Sequence, residues 1–437
     1  MANSDGAHGS DEPVKPVSKR GAKHKIPATV RNASALLVNP LSSQHIVGVE
    51  EITLPDGALV ISGRISFDGG ASWKESWPLA MKAEWAGVVG PALATDARGA
   101  LNLAALALGP DHSGASLVVY RSEDGGIHWE FPQVVLRGVA PECYYSIASD
   151  LSPASPFRGN VYVTADMGNT LCFARSNDGH SWSGVGHSKP GPLLPGQCFN
   201  PEVLVDAGGA VHVLWVSGPS GSILTVDSAD GGDTFCAPVT VAEGIAGADE
   251  RLSETAPATC IAPDGVALCV WTDHRESRAR IYYRRSMDGG RSWQGPLAGE
   301  PLVRNAHTAQ HEFQPHLLIT AGGEICCAFY EYGPKTPGGE PLVDLAMAIS
   351  YDRGASFTGH MVLSERPWDP AVDQPLSRGA TRGALGIVVT LTGVGTPIPA
   401  TVTVPAGAAT AGARNSPALF LCSPKVRHPG KSGPGHH

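Results

Sequence analysis

One short cassette, copied six times at a nearly constant interval, restricts this chain more than any other feature. Each copy has a serine, one spacer, an aspartate followed by glycine or a close substitute, and then an aromatic. The copies lie at residues 66–73, 122–129, 176–182, 228–235, 286–293 and 350–357. Their aspartates, Asp68, Asp124, Asp178, Asp230, Asp288 and Asp352, are separated by 56, 54, 52, 58 and 64 residues. A period of this size means that one supersecondary unit has been copied along the chain.

The chemistry of the cassette is that of a locked turn. Asp-Gly-Gly suits a tight turn because glycine accepts positive φ without steric cost. The Ser and Asp side chains bond nearby backbone N–H groups. The aromatic fills a gap between packed sheets, where burying a ring contributes roughly 2–3 kcal/mol. The third copy is one residue short, and the sixth has Arg353 where glycine is usual. The six aspartates are therefore read as holding turns, outside any chemistry.

Between the cassettes the text alternates as strands do. The stretch 279–285 is rich in Tyr and Ile, and Leu117-Val118-Val119-Tyr120 behaves likewise. A second pattern, Pro, apolar run, Gly-containing turn, apolar run, recurs at 201–215, 257–271 and 315–329. These are hairpins by period and turn chemistry. Two strands before each cassette, one into it and one after it make four per repeat. The fold class expected is all-β: a six-bladed β-propeller of four-stranded antiparallel blades, with a partial seventh blade as an alternative. Blades are expected to begin near Ala35, Pro91, Tyr145, Pro201, Pro257 and Pro315. Ring closure falls to residues 26–32 or to 386–421.

The cassettes resemble the Asp-box, or BNR repeat, of sialidase-like proteins, over about residues 35–375. The fifth copy is the clearest: Trp271-Thr272-Asp273-His274-Arg275, then Ile281-Tyr282-Tyr283-Arg284-Arg285-Ser286, then the box. The resemblance implies the propeller and a glycan-directed site. It also extends to lectins, receptors and assembly factors, so architecture alone does not fix activity.

The chain is organised as a polar tail, 1–25, a propeller, 26–375, diverged closing strands or a degenerate blade, 376–424, and a second tail, 425–437. After Asp373 there is no Asp, Glu, Trp or Tyr. The net charge of −9 and the pI of about 6.0, with no basic stripe, argue against nucleic acid as a partner. No apolar span of membrane length is present and residues 1–25 have no signal-peptide core. The sequence read literally is expected to be that of a cytoplasmic monomer; a removed leader would make it secreted. The nine cysteines show no Cys-x-x-Cys spacing and read as buried thiols.

In a propeller the boxes sit on the outer underside, which leaves chemistry to the opposite loops. The loops joining second and third strands carry Asp111-His112, Asp166, Asp273-His274-Arg275 and Glu331-Tyr332. The loops leading into the blades carry Glu142-Cys143-Tyr144-Tyr145, Asn200, Glu202, Arg251, Glu254, His307, His311, Glu312 and Gln314. Glycoside hydrolysis needs two carboxyl groups about 5–10 Å apart. The acid/base candidates are Asp273, Glu254, Glu312 and Glu331, with Tyr332 as a nucleophile candidate. Arg275, Arg251, His274, His311, Asp111 and Asp166 are the substrate-binding candidates.

The sialidase resemblance implies an Arg-Ile-Pro motif, an arginine triad, an Asp acid/base and a Tyr–Glu pair. Here Lys25-Ile26-Pro27 replaces the motif, and lysine lacks the planar grip of arginine on a carboxylate. Arg251, Arg275 and Arg304 offer a different basic cluster, and Tyr330 or Tyr332 a different pair, but no full set assembles. His307, His311, Glu312 and His316 carry potential metal-ligand atoms, but this stretch reads as loop and strand, where hydrogen-bonded histidines are the default, so no metal and no cofactor is expected. The functional expectation is a sialidase-like glycoside hydrolase acting on a glycan over the central channel. The alternative is a non-catalytic propeller that binds carbohydrate or protein.

Overall fold

The computed structural model describes residues 31–363, except 55–56, 76–77, 113, 219, 247–254, 256, 277, 304–310, 321–322 and 336–340. It adds the backbone of three short strands beyond them. Six four-stranded antiparallel units follow one another, each carrying one box. Unit 1 is Arg31–Val38, Ile46–Thr53, Leu59–Ser66 and Lys74–Glu75; unit 2 is Gly87–Thr95, Leu101–Leu108, Ala115–Ser122 and Gln133–Val139. A single parallel pairing, Leu59 with Gly87, joins these two into one sheet. Unit 3 is Tyr145–Ser149, Val161–Asp166, Thr170–Ser176 and Gly191–Pro195; unit 4 is Cys198–Val205, Val211–Ser217, Ser222–Ser228 and Val239–Ala242. Unit 5 is Ala258–Ile261, Ala267–Asp273, Arg280–Ser286 and Glu300–Pro301; unit 6 is Glu312–Ile319, Ile325–Lys335, Pro341–Ser350 and Thr358–Val362.

The first strands of successive units lie beside one another, so they form the inner ring of a β-propeller. Val388–Leu391, Ala400–Val404 and Phe420–Cys422 make a further three-stranded sheet, whose first strand touches the first strands of both unit 6 and unit 1. Residues 26–30 lie outside the described residues, and Arg31 and Asn32 open the first strand of unit 1.

Each interface between neighbouring units has its own apolar core. Leu101, Leu103 and Tyr120 serve units 1 and 2, Phe173 and Val213 units 3 and 4, Trp271 and Val216 units 4 and 5, and Phe329 and Ile281 units 5 and 6. The second strand of unit 2, LNLAALAL, is buried along its whole length, as a strand packed on both faces must be.

The boxes are the turns their chemistry demands. In the first, Ser66 Oγ donates to Asp68 Oδ1 (2.7 Å) and accepts the Gly70 N–H (2.7 Å). Asp68 also accepts the Ser72 N–H (2.8 Å), and Trp73 Nε1 donates to Gly70 O (3.0 Å). The serine–aspartate bond recurs in all six boxes. Ser72 and the other donors hold the Asp68 carboxyl down at about 2; Ser356 does the same for Asp352. Asp178 and Asp230 also reach about 2, slight burial being outweighed by the bonds they accept.

The boxes face the hairpins that join first and second strands, as Gly289 N–H to Gly265 O (2.8 Å) shows, and these two sets of turns define the underside. The second, third, fourth and sixth boxes also dock on the preceding unit. Arg175 of unit 3 donates to Gly231 O (2.8 Å) and pairs with Asp233 (2.6 Å) in the box of unit 4. In that box a Cβ on Gly232 (φ +85) would lie 2.6 Å from Phe173 Cζ, so glycine is needed for space as well as conformation. Arg353 occupies its left-handed position (φ 60) and pairs with Asp264 of unit 5 at 2.6 Å.

The blades begin three or four residues earlier than the prolines suggested in units 2, 4 and 6. Pro91, Pro201 and Pro315 mark a bulge inside the first strand, each preceded by a residue at positive φ: Gly90 (67), Asn200 (48) and Gln314 (50). Proline lacks an N–H, so the bulge is where the ladder tolerates it.

Candidate functional site

Among the described residues, the upper face, opposite the boxes, holds two separate groups of acids. The larger lies where units 5 and 6 meet. Glu312 is the first residue of the first strand of unit 6, and Glu331 stands directly opposite it on the second strand. Glu331 and Tyr332 are thus inside the strand Ile325–Lys335, where the sequence had suggested a loop; the strand runs longer than its counterparts because residues 330–332 keep their ladder to Pro341–Ser350. The Tyr332 N–H donates to His311 O (3.0 Å), one step further along. Glu312 and Glu331 therefore form a non-hydrogen-bonded pair, the closer of the two antiparallel pairings.

Asp344 of the third strand stands opposite Glu331 in turn. Three acids, Glu312, Glu331 and Asp344, form one row across the face of unit 6 that packs on unit 5, and they are only 5, 5 and 7 % exposed. From unit 5 the Ile281 N–H donates to Glu312 Oε2 (3.2 Å). Burial raises the Glu312 carboxyl above its ordinary range and the Glu331 charge adds to this; Ile281, Arg280 and His360 act the other way. His360, on the outer strand Thr358–Val362, holds Glu331 Oε2 through Nε2 (2.8 Å).

Around this row the predicted residues take distinct places. His311 Nδ1 accepts the Ala279 N–H (3.1 Å), and its ring meets Tyr332 edge-on at 5.5 Å. Tyr332 is half-buried and also leans on Phe313, 5.4 Å away. His274 is half-buried nearby; its charge and, above all, burial lower the His311 imidazole. Asp273 is fully buried at the end of the second strand of unit 5. It accepts from Trp271 Nε1 (3.1 Å), from the Arg275 N–H (2.9 Å) and from the Arg275 guanidinium. That guanidinium also lies 4.3 Å above the Tyr282 ring. Arg280 is engaged by Glu276 (3.0 Å) and by Val303 O (2.9 Å). Arg275 and Arg280 thus have carboxylate partners within the protein. Arg251, Glu254, Arg304 and His307 lie outside the described residues, as does Lys25.

The second group spans units 1 to 3. Glu51 accepts the Gly90 N–H, and Asp166 accepts the Tyr144 N–H (2.9 Å). Each is the sixth residue of its unit's second strand, so the two are equivalent by the repeat. Burial pushes both carboxyls up to about 7. The hydroxyl of Tyr145 is buried against Gly90 with no hydrogen-bond partner. Asp111 is exposed on the neighbouring loop of unit 2. Sequence reasoning passed over Glu51 as a site residue, and over Asp344 and His360, because each sits within a strand. The repeat equivalence of Glu51 with Asp166 was the signal that could have found the first.

His311, Glu312 and His316 do not gather as ligands among the described residues. The group of potential ligand atoms that does is Glu123, Glu130 and His180, all exposed on the underside. Among the described residues no helix is long and apolar enough to cross a membrane.

The BNR repeat-like domain family matches residues 56–298, more than half of the chain, and the protein belongs to that family. Among solved structures, the leech intramolecular trans-sialidase is similar at 10% identity over 70% of this chain and 65% of its own, with a TM-score of 0.46. The alpha-L-arabinofuranosidase arb93a of Fusarium graminearum is similar at 16% identity, covering 72% and 92%, with a TM-score of 0.47. NanB sialidase of Streptococcus pneumoniae gives 10%, 77% and 68%, and 0.46. No curated protein matches the chain.

Proposed function

We propose that the protein is a glycoside hydrolase whose acid pair, Glu312 and Glu331, cleaves a glycan bound at the upper face between units 5 and 6. The observation that carries this reading is their direct cross-strand pairing. A non-hydrogen-bonded antiparallel pair sets its Cβ atoms about 4.5–5 Å apart, close to the ~5–5.5 Å carboxyl separation of retaining enzymes. The pair is also asymmetric. Glu312 is held toward its protonated form, as a general acid near neutral pH requires. Glu331 has an imidazole on one oxygen and is the nucleophile.

In this reading the Glu312 proton passes to the glycosidic oxygen as its bond to the anomeric carbon breaks. Glu331 forms an ester to that carbon. Water, deprotonated by Glu312, then displaces Glu331 and restores both groups. Tyr332 and His311 would wall the sugar. Among the described residues, the engagement of Arg275 by Asp273 and of Arg280 by Glu276 supports uncharged glycosides over sialosides, because neither of these two guanidinium groups is left for a substrate carboxylate. The second reading, a propeller that binds glycan without cleaving it, is favoured by the slight exposure of both carboxyls.

The test is hydrolysis of fluorogenic neutral glycosides and sialosides by the wild type, Glu312→Gln and Glu331→Gln. Turnover of a neutral glycoside, lost at least 100-fold in both variants, is expected. No turnover of any substrate, with glycan-array binding retained, would replace this reading by the second.

A further inference from the structure

The acid row contains a contact that hydrolysis by two carboxyls does not by itself explain. His360 belongs to the outermost strand of unit 6, two strands away from Glu331 in the sheet order. It reaches Glu331 because the strand between them is small-sided: Ala346 and Ala348, on the same face as the acid row, are fully buried and leave room for an imidazole to lie across them. The ring also leans on Phe329, 6.1 Å away, which restricts its tilt. A histidine set at the sheet edge, led over two alanines and braced by an aromatic ends with Nε2 2.8 Å from one carboxylate oxygen.

We propose, resting on the hydrolase reading above, that His360 is a positioning residue: its Nε2–H fixes Glu331 Oε2 and thereby leaves Oε1 as the oxygen presented to the sugar. Glu331 stands between two other acidic side chains, Glu312 and Asp344, so a fixed partner on one of its oxygens decides which way its carboxyl turns. A nucleophile must hold its attacking atom within a few tenths of an ångström of the productive position, and a hydrogen bond to its second oxygen is the usual means. His360 supplies that bond and, when protonated, a charge facing the row. The other groups facing it are Glu312, Glu331 and Asp344 of unit 6, and Arg280 with the Ile281 N–H of unit 5.

The experiment uses the full chain with His360→Ala and His360→Gln, checked for folding by circular dichroism and melting. On a glycoside that the wild type cleaves, His360→Ala should lower kcat 10- to 100-fold with KM changed less than threefold. His360→Gln, which keeps an N–H donor, should recover most of kcat. A second readout needs no turnover: the Glu312 carboxyl, followed by 13C NMR and assigned with Glu312→Gln, should titrate at higher pH in both variants, since a charge that favours its ionised form is gone. Equal loss of kcat in both variants, in step with lost melting temperature, would overturn the proposal, as would an unmoved Glu312 titration. If no glycoside is cleaved the hydrolase reading fails, and the titration alone decides whether His360 acts on the row.

Discussion

Substituting His212 by glutamine should remove a pH-dependent part of the protein's stability that the structure locates in one side chain. His212 lies on the second strand of unit 4, 5 % exposed at its side chain, between two carboxylates. Its Nδ1 is 2.8 Å from Asp227 and its Nε2 is 3.3 Å from Asp206, which itself closes the adjacent hairpin by accepting the Gly208 and Ala210 N–H groups. Burial opposes the charged imidazole, but the bonds to Asp206 and Asp227 and their charges outweigh it and raise His212 from 6.5 to about 9. The folded value is the higher one, so the stabilisation is complete below the unfolded value of 6.5 and is lost as pH rises through 9. A shift of that size corresponds to about 3 kcal/mol. For about 330 residues unfolding together, at ~2 cal/mol/K of unfolding entropy each, this amounts to roughly 5 °C in Tm. The assay is thermal melting of the wild type and His212→Gln from pH 6 to pH 10. The Tm gap between them should be largest near pH 6 and shrink by about 5 °C by pH 10; parallel curves across that range would refute the clamp.

Three further outcomes can be checked by melting curves. Ser286→Ala leaves the buried Gly290 N–H of the fifth box without its acceptor and removes one of the donors to Asp288, which keeps those of Ser292, and should cost about 1–3 kcal/mol while leaving any glycan binding or cleavage unchanged, because the box is on the underside. Trp271→Ala empties the core between units 4 and 5 and frees Asp273 from one donor, with an expected cost of about 3–5 kcal/mol. Glu51→Gln should flatten the fall in stability between pH 4.5 and pH 7: the folded carboxyl is raised to about 7, so the wild type loses about 3 kcal/mol there as the unfolded chain's carboxyl ionises while the buried one keeps its proton, and a variant that loses as much as the wild type would contradict this.

The blades were legible in the sequence and the acid row was not, and the difference is physical. A box is local: serine, aspartate and glycine within eight residues make one another's hydrogen bonds, so the pattern survives without knowledge of what packs on it. Even its departures explain themselves in the fold. The shortened third copy bonds Gly179 N–H to Ser176 three residues back instead of four, and Arg353 finds Asp264 across the unit boundary. The row Glu312–Glu331–Asp344 is assembled by strand register over 33 residues of chain, and its histidine comes from a strand further on. Nothing local distinguishes Asp344 or His360 from any polar residue in an alternating strand. The loops drew attention instead, and Asp273 illustrates the cost of that rule. It has the sequence context of an exposed catalytic acid, yet it is fully enclosed by Trp271 and Arg275.

The same contrast bears on which unit could do chemistry. By the repeat, Asp273 and Glu331 occupy equivalent places, each the seventh residue of its unit's second strand. Their surroundings have diverged. In unit 5 the carboxylate is neutralised by an arginine two residues on in its own chain, and among the described residues the third strand sets Arg280, not an acid, opposite Asp273. In unit 6 the equivalent carboxylate has acids on both neighbouring strands and a histidine brought in from the edge. A group whose partners are all neutralising is built for stability; one set among like charges is costly to keep and needs a compensating use. If the protein is the hydrolase proposed above, with Glu331 as its nucleophile, Asp273→Asn should lower melting temperature, with any loss of activity following the loss of folded protein, whereas Glu331→Gln should abolish activity and raise or leave unchanged the melting temperature. Finding the reverse pattern would move the site from unit 6 to unit 5.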